Sequence, residues 1–180
     1  EVLVDTEPSG VARDERPLVE YLLHSTSKPP DLVVATGVRA MRFYIRNRHL
    51  LFPERPLLVT GIESRLMRSV ELGASDRMVT LDLEFSDVAR TIRALQPNVS
   101  TLALVAGASP PEQFLLGEAR REFSEADSGL QVLPPERLSL EDMRERLSVL
   151  PPNSAVFYLV FTFGADGVQH ENDQALAALR

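Results

Sequence analysis

Small and hydroxylated residues follow two apolar segments of the sequence, in 101-TLALVAGASPPEQF-114 and in 31-DLVVATGVRAMRF-43. Ser109, with Glu112 three residues later, forms the S-x-x-E pattern of a helix N-terminus, and Thr36-Gly37 takes the corresponding place in the other segment. At such a strand end, backbone N–H groups and hydroxyls can bind a carboxylate. Each segment alone is more typical of an ordinary strand-to-helix turn, which every α/β protein needs. When the two segments are taken together, one in each half of the chain, a binding cleft becomes the competing interpretation.

The sequence lacks the motifs of several common sites. No G-x-G-x-x-G follows a predicted strand and the single lysine is Lys28, which excludes a phosphate-binding loop of the Walker type. The segment 73-GASDR-77 lacks the second glycine of a nucleophile elbow. Because there is no cysteine, disulfides, thiolate nucleophiles and cysteine zinc sites are excluded, and the three histidines show no metal-ligand spacing. We therefore expect no metal and no cofactor.

Three further residues stand where a ligand could contact a strand end. Asp82 alternates with apolar neighbours between the two halves, so it either belongs to an exposed edge or accepts a hydrogen bond from a ligand. Phe161 and Thr162 follow the apolar run that begins at Ala155. An alternative function from another class is an α/β enzyme that uses Asp82 together with His170, although a fold by itself does not imply a function.

Short β-branched and leucine-rich runs between turn residues predict the strands that would position these side chains. The predicted strands are Val2–Asp5, Leu32–Ala35, Leu57–Thr60, Met78–Leu81, Thr101–Val105, Leu130–Leu133 and Ala155–Phe161. Apolar residues three and four apart predict helices at Arg16–Ser25, Val38–Leu50, Glu63–Leu72, Ser86–Leu95, Pro111–Glu125, Leu140–Val149 and Asn172–Leu179. Since strands alternate with helices and several are apolar on both faces, the sequence predicts an α/β fold with parallel sheets covered on both sides.

The net charge limits the possible partners, and the distribution of strand ends indicates two lobes. The net charge of -7 opposes a nucleic-acid partner, because phosphates bind to Lys and Arg. Strand ends followed by glycine recur in both halves, which predicts an N-terminal lobe over 1–80 and a C-terminal lobe over 81–180, with a crossover near 78–86. The basic residues of the second predicted helix are interpreted as a solvated face rather than an anion site, and they are Arg39, Arg42, Arg46 and Arg48.

Three segments carry a family resemblance, and they are PPDLVVATGVRAMRFYIRNRHLLFPERPLLVTGI, LDLEFSDVARTIRALQPNVSTLALVAGASPPEQF and LPPNSAVFYLVF. Together they resemble the periplasmic-binding-protein-like sensor domains of bacterial histidine kinases and related signalling proteins. Those domains are similar to the solute-binding components of one class of ABC transporter, with the type 1 fold. The resemblance implies two Rossmann-like lobes with parallel sheets and a ligand cleft between them.

The resemblance also implies which residues line the cleft, and these are Thr36, Gly37, Thr60, Gly61, Asp82, Ala108, Ser109, Phe161 and Thr162. The family pattern begins with one more strand and helix before EVLVDTE and continues past ALAALR, so the sequence is interpreted as truncated at both ends. Sheet edges left open by such a truncation would pair with a second copy, which makes a homodimer an expectation.

The function implied is that of a non-catalytic, extracytoplasmic sensing domain in an inner-membrane protein. Its ligand would be a small molecule such as an amino acid or a small carboxylate, and its partners would be the attached transmembrane and kinase regions of the parent protein. A transporter's solute-binding protein is the alternative within the same fold. A purely structural or partner-binding module is a further alternative, which failure of every metabolite to raise the melting temperature would favour.

Overall fold

Most of the strands and helices expected from the sequence are present in the structure, which is a computed structural model. It describes residues 14–68, 70–126, 129–134 and 136–180. The helices are α1 (Arg16–Ser25), α2 (Gly37–Asn47), α3 (Phe85–Leu95), α4 (Pro110–Glu125), α5 (Leu140–Ser148) and α6 (Asn172–Ala178), with a 3₁₀ helix at Ser64–Met67. The strands are β1 (Val33–Thr36), β2 (Leu57–Glu63), β3 (Arg77–Leu81), β4 (Thr101–Ala106), β5 (Gln131–Val132) and β6 (Ser154–Val160). The predicted strand Val2–Asp5 lies outside the described residues.

Two small parallel sheets of three strands each confirm the α/β class. Contacts within the chain separate two compact units, Glu1–Leu83 and Glu84–Arg180. They are called the first unit and the second unit below. The change of unit falls within the segment near 78–86 in which the sequence predicts a crossover.

The sheet of the first unit has the order β1-β2-β3. β1 and β2 run in register from Val33 opposite Leu57 to Thr36 opposite Thr60, and β2 continues beyond the end of β1 to Glu63. Helices α1 and α2 contribute to one core with these strands, in which Met41 of α2 and Val59 of β2 are buried. Each such apolar side chain contributes about 1.5–3 kcal/mol when it is removed from water. This core therefore holds the end of β1 beside the middle of β2.

The sheet of the second unit has the order β5-β4-β6, with β4 in the centre. All residues of β4 are buried, which explains its uninterrupted apolar run. Leu104 packs in one core with residues of α3 and α4, whereas Val105 packs in another with residues of α5 and α6. Since successive side chains of a strand point to opposite faces, helices cover this sheet on both sides.

The predicted helix Glu63–Leu72 is wrong. Strand β2 continues to Glu63, and only the short 3₁₀ helix Ser64–Met67 follows it. The Glu63 carboxylate accepts the backbone N–H of Arg65 at 2.8 Å and its guanidinium at 2.7 Å, and that guanidinium also donates to the Leu83 carbonyl at 3.0 Å. These contacts hold the turn after β2 against the end of β3, so the local apolar spacing does not develop into an α-helix.

The described ranges contain no helix of the length and apolar character needed to cross a bilayer.

Candidate functional site

The C-terminal end of β1 brings two predicted ligand residues together in the first unit, although β2 does not end at Thr60 as predicted but continues to Glu63. Thr36 and Thr60 are register partners on neighbouring strands. Each is followed by a glycine in the left-handed region, Gly37 at φ 83° and Gly61 at φ 67°. Thr36 is exposed and Thr60 half-buried, and neither hydroxyl makes a hydrogen bond to another described residue. Four of the nine predicted positions thus form one polar strand edge.

Helix α2 starts at this edge. Its N-cap residue, Thr36, makes no side-chain hydrogen bond to the first turn. The first N–H groups of a helix lack intrahelical partners, and the helix dipole places partial positive charge near them. The edge therefore combines hydroxyls with the N–H groups at a helix N-terminus, which suits an anionic group such as a carboxylate.

Gly61 is required where β2 passes Thr36. A Cβ at this position would lie 3.0 Å from Thr36 Cγ2, and the backbone has a φ that L-residues rarely adopt. We expect Gly61→Ala to lower the free energy of unfolding of the first unit by about 1–2 kcal/mol, measured by urea denaturation.

Gly117 provides the matched control for that substitution. It lies inside α4, and a Cβ there would meet nothing within 4 Å. Gly117→Ala is expected to stabilise the chain by up to about 1 kcal/mol, because alanine has the higher helix propensity. Destabilisation by both substitutions, or by neither, would contradict the special role of Gly61.

The corresponding strand ends in the second unit are occupied by the chain itself. Glu112, which is 4% exposed, directs its carboxylate toward both of them. One oxygen accepts the Ser109 N–H at 2.9 Å, and the other accepts the Thr162 N–H at 2.7 Å and the Thr162 hydroxyl at 2.8 Å. The S-x-x-E pattern predicts the bond to Ser109. Nothing in the local sequence indicates the bonds to Thr162.

Other backbone groups at this edge are also paired within the protein. Ala108 N–H donates to the Phe163 carbonyl at 2.7 Å, and Phe161 N–H donates to Asn172 Oδ1 at 3.0 Å. The same Asn172 oxygen accepts the Tyr158 hydroxyl at 2.8 Å, and burial raises the pKa of that phenol. The Phe161 ring is 0% exposed, so it packs in the core of the second unit rather than on a surface.

Asp82 and His170 belong to different units. Asp82 is exposed just after β3. His170 Nε2 is buried and has no hydrogen-bond partner among the described residues, and its ring centroid lies 5.7 Å from that of Phe161. No group of three or more His, Asp or Glu side chains in the described ranges is arranged to hold a metal ion.

Sequence reasoning missed a buried ion pair in the first unit. The Asp76 carboxylate accepts from the Arg48 guanidinium at 2.6 and 2.9 Å, and from the backbone N–H groups of Leu57 and Gly73 at 2.9 Å each. The hydrogen bond from Arg48 is the largest cause that lowers the pKa of Asp76. The interpretation of Arg48 as part of a solvated basic face is therefore wrong, because a partner 28 residues away binds it.

No protein-family model, curated protein or solved structure matches the chain. The resemblance to periplasmic-binding-protein-like sensor domains stays a prediction from the sequence.

Proposed function

We propose that the chain is a small-molecule-sensing domain of a bacterial signal-transduction protein of the histidine kinase type, on the extracytoplasmic side of the inner membrane. The two compact units would be the two lobes of a periplasmic-binding-protein-like fold. A solute-binding protein of an ABC transporter would share this fold, and a transmembrane and kinase region encoded downstream would distinguish the two.

One observation carries the proposal, namely the polar edge of the first unit. Thr36 and Thr60 lie opposite each other on neighbouring strands, no other described residue uses their hydroxyls, and the backbone at Gly61 passes close to the Thr36 side chain. At the strand ends of the second unit, by contrast, the polar groups are paired within the protein. An edge with unused hydroxyls beside a helix N-terminus supports a ligand that carries a carboxylate.

The proposed mechanism is a population shift. A ligand that binds one conformation of the domain more tightly than another favours that conformation by the difference in binding free energy. The attached transmembrane and kinase regions would respond to the change in population. The ligand class that fits the edge is an amino acid or another small carboxylate.

A thermal-shift screen of amino acids and small carboxylates tests the proposal. We expect a ligand at about 100 times its Kd to raise the melting temperature by about 5–10 °C. Thr36→Val combined with Thr60→Val removes both hydroxyls with little change of shape, so the shift should fall to below about one third. If no compound in the screen stabilises the chain, a partner-binding module becomes the better explanation.

Thr91→Val is the matched control, because Thr91 is exposed in α3 and donates only to the Asp87 carbonyl at 2.9 Å. This variant should keep the full ligand shift. A shift that survives the double substitution at Thr36 and Thr60 unchanged would exclude the polar edge as the site.

A further inference from the structure

Strand β3 forms one edge of the sheet in the first unit, with β2 on one side and no described strand on the other. Its apolar side chains are exposed on both faces of the sheet. Met78, which is 47% exposed, lies on one face, whereas Val79 and Leu81, at 60% and 57%, lie on the other. A helix packed on the sheet would cover only one of these faces. A further strand beside β3 would contact side chains on both.

The other edge strand of this sheet is different. In β1, Val34 is 55% exposed but its neighbour Ala35 is only 2% exposed, so one face of that strand is covered by the core. No proline or charged residue interrupts 78-MVTL-81 in β3, and these are the residues with which natural proteins protect an edge. An edge of this kind can accept another strand through its backbone N–H and carbonyl groups.

The two ends of β3 carry opposite charges. Arg77 begins the strand, Asp82 and Glu84 follow it, and all three are exposed. The Arg77 guanidinium donates to the carbonyls of Ala74 and Asp76 at 2.9 and 2.6 Å, and no described carboxylate forms an ion pair with it. Two antiparallel copies of β3 would place the basic end of each beside the acidic end of the other, whereas parallel copies would place like charges together.

We infer that β3 is the interaction surface for a second copy of this chain, and that the two β3 strands pair antiparallel about a two-fold axis. The three-stranded sheets of the two first units then join into one continuous sheet. Val79 and Leu81 of both copies share one face of it, and the axis makes every contact between the copies occur twice. The inference does not depend on the function proposed for the polar edge of Thr36 and Thr60.

Sedimentation velocity of the full chain at increasing concentration tests the inference. Pairing along one strand edge buries little surface, so we expect a monomer–dimer equilibrium with a Kd on the order of 10 µM. Val79→Lys adds a charge that meets its own copy across the two-fold axis, and it should raise the Kd at least about tenfold. A chain that is still monomeric at about 200 µM would overturn the inference, because more than half of it should then be dimeric. Wild-type dimerisation by Val79→Lys would also overturn it.

Val149→Lys is the matched control. Val149 is 70% exposed at the end of α5 in the second unit, and the chemical change is identical. This variant should keep the wild-type Kd. Equal weakening by both substitutions would show that added charge, rather than the β3 edge, controls association, and would contradict the inference.

A charge exchange tests the antiparallel orientation. Arg77→Glu and Asp82→Arg should each raise the Kd about tenfold, because each places like charges where the two strand ends meet. An equimolar mixture of these two variants should dimerise with a Kd within about threefold of wild type, since each end then meets an opposite charge again. Failure of the mixture to recover would overturn the antiparallel pairing. Melting temperatures close to wild type would show that each single variant remains folded.

Discussion

Phe123→Ala is expected to lower the free energy of unfolding of the second unit by about 4 kcal/mol. The ring is 1% exposed, and its centroid lies 5.9 Å from that of Phe85 and 5.3 Å from that of Phe157. Truncation to alanine removes buried apolar surface and leaves a cavity among aromatic groups that cannot fully collapse into it. Urea denaturation followed by far-ultraviolet circular dichroism measures the change.

Phe114 provides a control on the same helix. It is 42% exposed, so Phe114→Ala should cost less than about 1 kcal/mol although the chemical change is identical. Equal effects of the two substitutions would show that the three-ring cluster does not hold α4 on the sheet.

Asp76→Ala is expected to lower the free energy of unfolding of the first unit by about 3 kcal/mol. The Asp76 side chain is 1% exposed and the Arg48 side chain 23%. Removal of the carboxylate leaves the guanidinium partly buried without its acceptor, and it also leaves the N–H groups of Leu57 and Gly73 unpaired. The start of β2 and the turn before β3 lose their common anchor.

Asp31→Ala is the matched control. The ion pair of Asp31 with Arg55 has an N···O distance of 3.9 Å and the Asp31 side chain is 94% exposed. Exposed pairs contribute at most about 1 kcal/mol, so this variant should remain close to wild type. A loss as large as that of Asp76→Ala would mean that both effects reflect net charge rather than the buried contacts.

The same pair predicts a dependence on pH. Since hydrogen bonds from Arg48 and from backbone N–H groups lower the pKa of folded Asp76, its contribution to stability is complete above the unfolded pKa of about 4. It is lost as the pH falls through the lower, folded value. The difference in unfolding free energy between wild type and Asp76→Ala should therefore be constant between about pH 5 and pH 7 and decrease below about pH 4. A difference that grows toward acid would contradict this assignment.

Most of the fold could be predicted because its signals are local. Apolar spacing in 16-RPLVEYLLHS-25 and the unbroken run in 101-TLALVA-106 correspond to α1 and β4 as the structure has them. The S-x-x-E pattern correctly indicates the start of α4. The spacing in Glu63–Leu72 failed, because tertiary contacts of Glu63 and Arg65 outweigh a weak local preference for helix.

The candidate sites could be predicted only in part. The glycines and threonines beside β1 and β2 were identified, and the register of the two strands makes the threonines neighbours, but the prediction that β2 ends at Thr60 is wrong because it continues to Glu63. In the second unit the same type of pattern identified Ser109 and Thr162 as donors, but it did not show that Glu112 already uses them. The sequence pattern predicts which polar groups lie at a strand end, but it does not predict which side chain from a distant segment binds them.

The sequence by itself determined the α/β class, the parallel strands and the small and hydroxylated residues at their ends, because strand and helix periods and turn chemistry act over a few neighbouring residues. Only the tertiary structure shows at which of those strand ends the polar groups are already hydrogen-bonded within the protein. Pairs such as Glu112 with Thr162 and Arg48 with Asp76 join residues 50 and 28 positions apart, and their formation depends on the packed arrangement of whole elements. Contacts between residues so far apart in the sequence produce no periodic pattern from which they could be predicted.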